Sequence, residues 1–251
     1  RYALLAPPDL KFNTRTQGMP DAPTKRTTED GVLYEWTTRN ESPIIFEPAM
    51  PPLTDIAKTL YISSIQSWDY LVKWYTDLAR TKTRSSFEIK ERVQKLLEGK
   101  QNLSEMEKIR IVYDYITENI RYSSVPFRQS PLVPQEARDV LVNRIGDCKD
   151  VATLCIAMLR EAGITAHHVL VNTADQGSNS NILPTIAFKH AIAAVETKQG
   201  LLYLDLTANN FPFGSAPAPD VNAFTLLIKP NVNKPEYLAK KNFSANNVSR
   251  T

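Results

Sequence analysis

The sequence has few of the features that mark membrane, disulfide-rich or nucleic-acid-binding proteins. It contains no run of 18 apolar residues, so no membrane span is expected. It has no block of like charge, and a net charge of +3 over 251 residues does not indicate a nucleic-acid partner. What remains is a globular composition, with 42% hydrophobic and 23% charged residues, sufficient for one large domain or two smaller ones.

The chain has only two cysteines, and they are not expected to form a disulfide. Cys148 and Cys155 are seven residues apart on one predicted helix, so its rise separates them by about 10 Å. A disulfide requires Cα atoms within about 7 Å. Both thiols are therefore expected to be free unless another chain supplies a partner, and cysteine usage does not indicate a redox compartment.

Residues 144–163 have the strongest helical pattern of the chain. Their apolar side chains recur at the spacing of one buried helical stripe, formed by Val151, Leu154, Cys155, Met158 and Leu159. Gly146 is expected at the entry to this helix and Gly163 at its left-handed end. Cys148 then lies in the first turn, where free N–H groups and the helix dipole favour an anion. This position favours a thiolate nucleophile, and a buried, chemically inert cysteine is the alternative.

Two later apolar runs, 186–195 and 201–207, are predicted to form an antiparallel hairpin. With a turn at 196–200, His190 and Asp205 are expected to lie directly opposite each other on one face. A carboxylate among leucines is costly to bury without a partner, which favours a His–Asp pair. Together with the cysteine at the helix start, this pair provides the nucleophile, base and orienting acid of a thiol triad.

With these residues in place, the chain resembles the transglutaminase-like superfamily. The resemblance rests on the segment Gly146–Asp150 before a helix, on the strand with His190 and on the segment Leu204–Thr207. Three weaker matches resemble the bacterial branch in which this core follows a β-rich domain of unknown function: Tyr34–Trp36, Phe46–Pro52 and Ser67–Tyr75.

The resemblance implies a role for each site residue. Cys148 would be the nucleophile, His190 the base and Asp205 the group that orients the imidazole, with no metal and no organic cofactor. The Cys148 backbone N–H is one candidate oxyanion donor, and Tyr122 is a second, by a looser equivalence. The implied fold is α+β and papain-like, with a helical layer that contains the nucleophile helix packed on an antiparallel sheet.

The implied chemistry is acyl transfer on amide bonds of a peptide or protein. Hydrolysis is favoured over cross-linking, because an amine acceptor needs a dry tunnel with aromatic walls. Only Phe188 and Tyr203 supply rings near the triad, and the tryptophans that follow Ser67 are assigned to the core. The alternatives are a true transglutaminase and a non-catalytic binding or scaffold module that retains the fold. The oligomeric state stays open.

The resemblance also sets the expected domain organisation. It divides the chain into a C-terminal remnant of a β-rich domain, a connecting strand with helices, the catalytic core, and an additional strand with a tail: 1–52, 53–100, 101–215 and 216–251. Because members of that branch are often exported, the expected compartment is the periplasm or the cell exterior, with the signal peptide outside this sequence.

Periodicity and capping signals predict the remaining elements. Helices are expected after Ser67, at 86–98 and 105–119 behind the capping boxes Ser85–Glu88 and Ser104–Glu107, and after Pro134. Strands are expected at 32–36, 58–63, 166–172 and 224–228, with irregular or edge structure over 1–30. His167 and His168 are adjacent on a strand and face opposite sides, which predicts one core and one surface histidine.

Overall fold

The protein is described by a computed structural model that covers residues 1–100, 102–123, 132–178, 182–208 and 211–238. The strands are β1 Tyr2–Ala6, β2 Asn13–Gln17, β3 Thr24–Thr28, β4 Gly31–Trp36, β5 Thr59–Ser63, β6 Arg121–Tyr122, β7 Ile145–Gly146, β8 Ala166–Asn172, β9 His190–Thr197, β10 Gly200–Leu204, β11 Phe224–Leu227 and β12 Glu236–Tyr237. The α-helices are α1 Leu53–Ile56, α2 Trp68–Arg80, α3 Phe87–Leu97, α4 Glu105–Asn119, α5 Ala137–Asn143 and α6 Cys148–Glu161.

A five-stranded sheet with the order β10-β9-β8-β11-β12 forms the centre of the molecule. All of its pairings are antiparallel. The apolar stripes of α3, α4, α5 and α6 pack together against one face of this sheet and form the largest core cluster. The predicted α+β class, with the cysteine-bearing helix on an antiparallel sheet, is confirmed.

Helix α2 packs next to α6 over the same sheet and completes the wall around the cysteine. Ser67 caps it as predicted, because its hydroxyl accepts the backbone N–H of Tyr70. The buried residues Leu71, Val72, Tyr75 and Ala79 pack with residues of β8, β9 and β11, and Cys148 lies against this second cluster. The aromatic stripe of this helix is therefore part of the core, as its spacing predicts.

The N-terminal region has more regular structure than the sequence predicts. Strands β1, β4 and β3 form a three-stranded antiparallel sheet, and β2 pairs with β5. The predicted strands β4 and β5 are confirmed. Residues 1–30, predicted to be irregular or edge structure, contain three strands, of which β1 and β3 are the edges of their sheet. None of the three shows apolar alternation, because β2 and β3 are polar and threonine-rich and β1 is a short apolar run. The four domain boundaries stay a prediction.

Two helix starts differ from the prediction because side chains near them bind elsewhere. Ser86, not Ser85, caps α3, since the Ser85 hydroxyl donates to Glu161 at 2.6 Å. Helix α5 begins at Ala137 and not at Pro134. The backbone N–H of Gln135 is bound by the Asp150 carboxylate at 2.7 Å, which holds the segment before α5 in an extended form against α6.

The β9–β10 hairpin has a shorter turn than predicted. Thr197 pairs with Gly200, so the turn contains two residues, and Leu204 pairs with Ala193. Gly200 follows this turn with a φ of +111°, a backbone conformation that favours glycine. Strand β9 begins at His190, so residues 186–189 are not part of it. His190 and Asp205 are therefore not direct register partners.

Among the described residues, none of the helices combines the length and the apolar character needed to cross a membrane. The predicted strand at 224–228 is confirmed as β11. A poorly ordered tail is predicted from residue 229, but β12 at Glu236–Tyr237 pairs with β11; the rest of the predicted tail, beyond position 238, lies outside the described residues.

Candidate active site

The first turn of α6 holds Cys148 at the end of the sheet. Asp147 is the N-cap, its side chain accepts the N–H of Asp150, and the Asp150 side chain accepts the N–H of Asp147. Asp150 is fully buried, and its oxygens also bind the backbone and side chain of Gln135 at 2.7 Å. Lys149 neutralises Asp147 through an ion pair. These contacts fix the helix start, so the position of Cys148 predicted from the sequence is confirmed.

His190 and Asp205 meet at the open end of the hairpin, where β9 begins and β10 ends. His190 Nε2 lies 3.1 Å from Asp205 Oδ2, and both side chains are largely buried. Asp205 follows the last residue of β10, and its Oδ1 accepts the backbone N–H of Thr207 at 2.9 Å and the Thr207 hydroxyl at 2.8 Å. An aspartate that binds the backbone two residues later ends a strand in a turn.

The predicted contact between His190 and Asp205 is confirmed, but the predicted register of the two strands is wrong. The observed register is displaced by two residues from the predicted one. Because side chains alternate between faces with a period of two, this displacement leaves both residues on the same face. Diagonal neighbours two residues apart remain within reach of long side chains, which allows the contact.

His190 also contacts Cys148, which joins the helix to the hairpin. The interaction with Cys148 contributes to the raised pKa of His190, and the two side chains line one small cavity together with Phe188. Since Nε2 binds Asp205, Nδ1 is the ring nitrogen left for the thiol. Cys148 is partly exposed, so this group is accessible from solvent.

The electrostatics of the site favour a charged imidazole. Burial by itself lowers the pKa of His190, but hydrogen bonds to Asp205 and Cys148 outweigh it and raise the pKa to about 10. Burial likewise acts to raise the pKa of Asp205, and the hydrogen bonds from His190 and Thr207 reverse this, so that the pKa lies below its ordinary value. The arrangement can therefore hold an imidazolium between two anionic groups.

The other candidate side chains of the sequence lie outside this group. Cys155 is fully buried in the core, and burial raises the pKa of its thiol to about 12. His168 is buried beside Thr153, and burial followed by the charge of Arg160 lowers its pKa to about 3. His167 is half-buried and binds Glu196. The prediction of one core and one surface histidine is confirmed.

Tyr122 lies close to the site without a direct contact to the thiol among the described hydrogen bonds. Strand β6 pairs in parallel with β7, which puts Tyr122 opposite Gly146. Burial, and then the negative charges of Cys148 and Asp147, raise the pKa of the phenol. The hydroxyl therefore keeps its proton and can donate a hydrogen bond near Cys148.

Two side chains at the site were not predicted. Asp220 is buried, and its carboxyl oxygen, an imidazole nitrogen of His190 and a carboxylate oxygen of Asp205 all lie within 4.8 Å of one another. Tyr75 lines the Cys148 cavity, and its buried hydroxyl has no hydrogen-bond partner among the described residues. The spacing of α2 predicts burial of the Tyr75 ring but says nothing of its hydroxyl, and Asp220 has no local signal at all.

Comparison with known proteins places this site in a known fold. Residues 90–205 match the sequence profile of the transglutaminase-like superfamily. No curated protein matches the chain significantly. A candidate protease from Parabacteroides distasonis ATCC 8503 has a similar crystal structure, with a TM-score of 0.70 and 17% identity, over 94% of this chain and 44% of that one. The chain thus spans less than half the length of that structure.

Two further structures are more distant. A candidate cysteine protease from Cytophaga hutchinsonii has a TM-score of 0.38 and 16% identity, over 82% of this chain and 66% of that one. The periplasmic domain of TgpA from Pseudomonas aeruginosa has a TM-score of 0.36 and 14% identity, over 82% and 69%.

The profile match contains the whole segment from α4 through β10 to Asp205, and with it Cys148 and His190. The resemblance seen in the sequence is therefore confirmed over residues 90–205, which match the transglutaminase-like superfamily.

Proposed function

We propose that the protein is a cysteine peptidase or amidase in which Cys148 is the nucleophile, His190 the acid and base, and Asp205 the orienting group. The observation that carries this proposal is the position of His190, which is hydrogen-bonded to Asp205 and lines one cavity with Cys148. A thiol, an imidazole and a carboxylate in that order are the parts of a thiol-based acyl transfer.

The mechanism begins with the Cys148 thiolate and the His190 imidazolium. Sulfur attacks the amide carbonyl carbon, and the negative charge moves to the carbonyl oxygen. The Cys148 backbone N–H at the start of α6 and the Tyr122 hydroxyl are the donors proposed for that oxyanion. When the intermediate collapses, the C–N bond breaks and the imidazolium gives its proton to the leaving amine.

The second half of the reaction releases the acyl group from Cys148. Neutral His190 takes a proton from water, and the resulting hydroxide attacks the thioester carbonyl. The C–S bond then breaks, which gives a carboxylic acid and regenerates the thiolate–imidazolium pair. Asp205 keeps its charge throughout, and its hydrogen bonds from Thr207 hold it in the orientation that His190 needs.

Hydrolysis is proposed over transfer to an amine because the cavity at Cys148 is small and the thiol is partly exposed. One observation favours the alternative. Phe188, on the cavity wall, contacts Trp68 and stacks on Phe224, so more rings lie behind that wall than the sequence predicts. An aromatic wall is what an amine-acceptor tunnel requires, and amine transfer is therefore the second candidate.

The experiment offers casein as a glutamine-containing protein together with an excess of dansylcadaverine as the amine. New amino termini or free ammonia are expected to exceed incorporated dansyl label, and Cys148→Ala is expected to abolish both products. Cys155→Ala is the matched control, because this buried cysteine lies in the core and should leave the activity unchanged.

Each other result contradicts part of the proposal. Incorporated amine in excess of hydrolysis would establish a transglutaminase. Neither product, combined with no labelling of Cys148 by a peptidyl vinyl sulfone, would favour a binding or scaffold module. The same activity in Cys148→Ala and the native protein would show that the nucleophile is misassigned.

A further inference from the structure

Asp220 brings a second carboxyl group to the His190–Asp205 pair. It ends a short 3₁₀ turn, Ala218–Asp220, and is 2% exposed. Backbone hydrogen bonds to Pro217 at 2.9 Å and from Ala223 at 3.0 Å fix this turn. The carboxyl group of Asp220 is thereby held within 4.8 Å of an imidazole nitrogen of His190 and a carboxylate oxygen of Asp205.

If both carboxyl groups are ionised, this group has more buried hydrogen-bond acceptors than donors. Asp220 Oδ2 is buried and has no hydrogen-bond partner among the described residues. The neighbouring Asp205 is itself an acceptor, which already receives hydrogen bonds from His190 and Thr207. Two buried acceptors without a donor between them are unfavourable, and so are two adjacent negative charges.

A single proton resolves this conflict. If Asp220 is protonated, its hydroxyl can donate to the Asp205 carboxylate, which removes one negative charge and supplies the missing donor. Burial first, and then the charge of Asp205, raise the pKa of Asp220 to about 7, while His190 acts in the opposite direction. Tyr113 and Tyr122 are the other titratable groups that interact with Asp205, and both have raised pKa values, so they stay neutral.

We propose that Asp220 shares a proton with Asp205 and so acts as a positioning residue for the His190 imidazole. This inference rests on the proposed role of His190 as the partner of Cys148. Asp205 then receives hydrogen bonds from three residues, which leaves it a single orientation toward His190. When Asp220 ionises, this bond is lost and a second negative charge faces the imidazolium.

The test uses the full chain and two readouts that do not require amide hydrolysis. The first is the NMR titration of the His190 Cε1–H resonance, which is tractable because the chain has only three histidines. The second is the rate at which iodoacetamide alkylates Cys148. The variants are Asp220→Asn, which always carries an N–H donor, and Asp220→Ala, which has none. Asp139→Asn on the exposed side of α5 is the matched control.

In the native protein, the His190 resonance should show one step near pH 7, where Asp220 ionises, and a second near pH 10. Asp220→Asn should lose the lower step. At pH values below that step, its alkylation rate should equal that of the native protein. Asp220→Ala should lose the lower step as well, and its alkylation rate should fall by about tenfold or more, the effect expected for one lost charge-assisted hydrogen bond. Asp139→Asn should behave like the native protein.

Three results would overturn the proposal: a native titration without the lower step, an Asp220→Asn variant that retains it, or equal alkylation rates in the Ala and Asn variants. Stoichiometric binding of Zn²⁺ to the native protein that is lost in Asp220→Asn would also overturn it, and would establish a cation site instead. If Asp220→Ala does not fold, the titration of the Asn variant still decides. Failure of amide hydrolysis alone would affect the proposed function and leave these readouts unchanged.

Discussion

Replacing Asp205 with asparagine removes the charge from the proposed orienting group while nearly keeping its size. In the native protein, Asp205 Oδ2 lies 3.1 Å from His190 Nε2, and its other oxygen accepts two hydrogen bonds from Thr207. The side-chain oxygen of asparagine can still accept the hydrogen bonds from one of these two residues, His190 or Thr207. The variant therefore tests the counter-charge on the imidazolium with little change in packing.

The size of the effect follows from the environment of His190. Burial lowers the pKa of His190, and the hydrogen bonds to Asp205 and Cys148 raise it to about 10. A hydrogen bond to a charged group contributes about 1.5–3 kcal/mol, and one pH unit corresponds to about 1.4 kcal/mol. Asp205→Asn should therefore lower the titration midpoint of His190 by about one to two pH units, because only the contribution of Cys148 remains.

The same change should alter how stability depends on pH. The folded pKa of His190 lies above its ordinary value of 6.5, so its contribution to stability is fully present below that pH and is lost as the pH rises toward 10. The native protein should therefore lose more stability than Asp205→Asn across this window. Urea denaturation at several pH values measures this difference, and NMR titration of the imidazole measures the midpoint.

An unchanged midpoint would refute the reasoning, because it would show that Asp205 does not hold the charge on His190. Equal loss of stability in both proteins between pH 6.5 and pH 10 would refute the linkage argument. Resonance assignment is secured with His167→Gln, since burial lowers the pKa of His168 to about 3 and keeps it from titrating in this range.

Three other outcomes are expected. Limiting iodoacetamide on the folded protein should modify Cys148 before Cys155, because Cys155 is buried and its pKa is raised to about 12. Peptide mass analysis measures the order of labelling, and labelling of Cys155 first would contradict this expectation. Gly146→Ala should reduce the free energy of unfolding by about 1–3 kcal/mol in thermal denaturation, since the new Cβ would lie 2.8 Å from Asp150 Cβ; an unchanged Tm would contradict the close packing. Tyr75→Phe should raise the free energy of unfolding by about 1 kcal/mol in urea denaturation, because it removes a buried hydroxyl without a partner among the described residues; a decrease would show that the hydroxyl is satisfied.

The elements with strong local signals were predictable from the sequence. The apolar stripe and the flanking glycines place α6 and its first turn correctly, and the Ser104–Glu107 capping box starts α4 as expected. These signals act within a few residues of chain, where propensity, capping and burial favour the same structure. Where a side chain has a tertiary partner instead, as Ser85 has in Glu161, the predicted helix start is displaced.

The hairpin shows why the contact of His190 with Asp205 survives an error in register. The polar residues Glu196 and Thr197 were assigned to the turn, but they continue β9, because an exposed strand end tolerates polar side chains. The true register differs by two residues, which preserves the face of every side chain. An error of one residue would have put the imidazole and the carboxylate on opposite faces and removed the predicted site.

Asp220 could not be predicted because no local pattern connects it to the site. It comes from an Ala- and Pro-rich segment without periodicity, 15 residues after Asp205, and reaches the imidazole only through the tertiary fold. Tyr75 is a different case, because its ring follows the apolar spacing of α2 while its buried hydroxyl has no hydrogen-bond partner among the described residues. The spacing of apolar residues thus predicts which residues are buried, but it does not predict the hydrogen-bond partners of their polar atoms.

The charge balance of the site links these unpredicted groups to the proposed chemistry. In the proposed resting state, the Cys148 thiolate and the Asp205 carboxylate face one imidazolium, which leaves an excess of one negative charge. The N-terminus of α6 carries a partial positive charge of about half a unit and offsets part of this excess, while Asp147 adds none because Lys149 neutralises it. An ionised Asp220 would double the excess in a buried setting, whereas a protonated Asp220 leaves it unchanged. The proposed extra proton on Asp220 would therefore allow two aspartates to lie beside the one histidine of the candidate site.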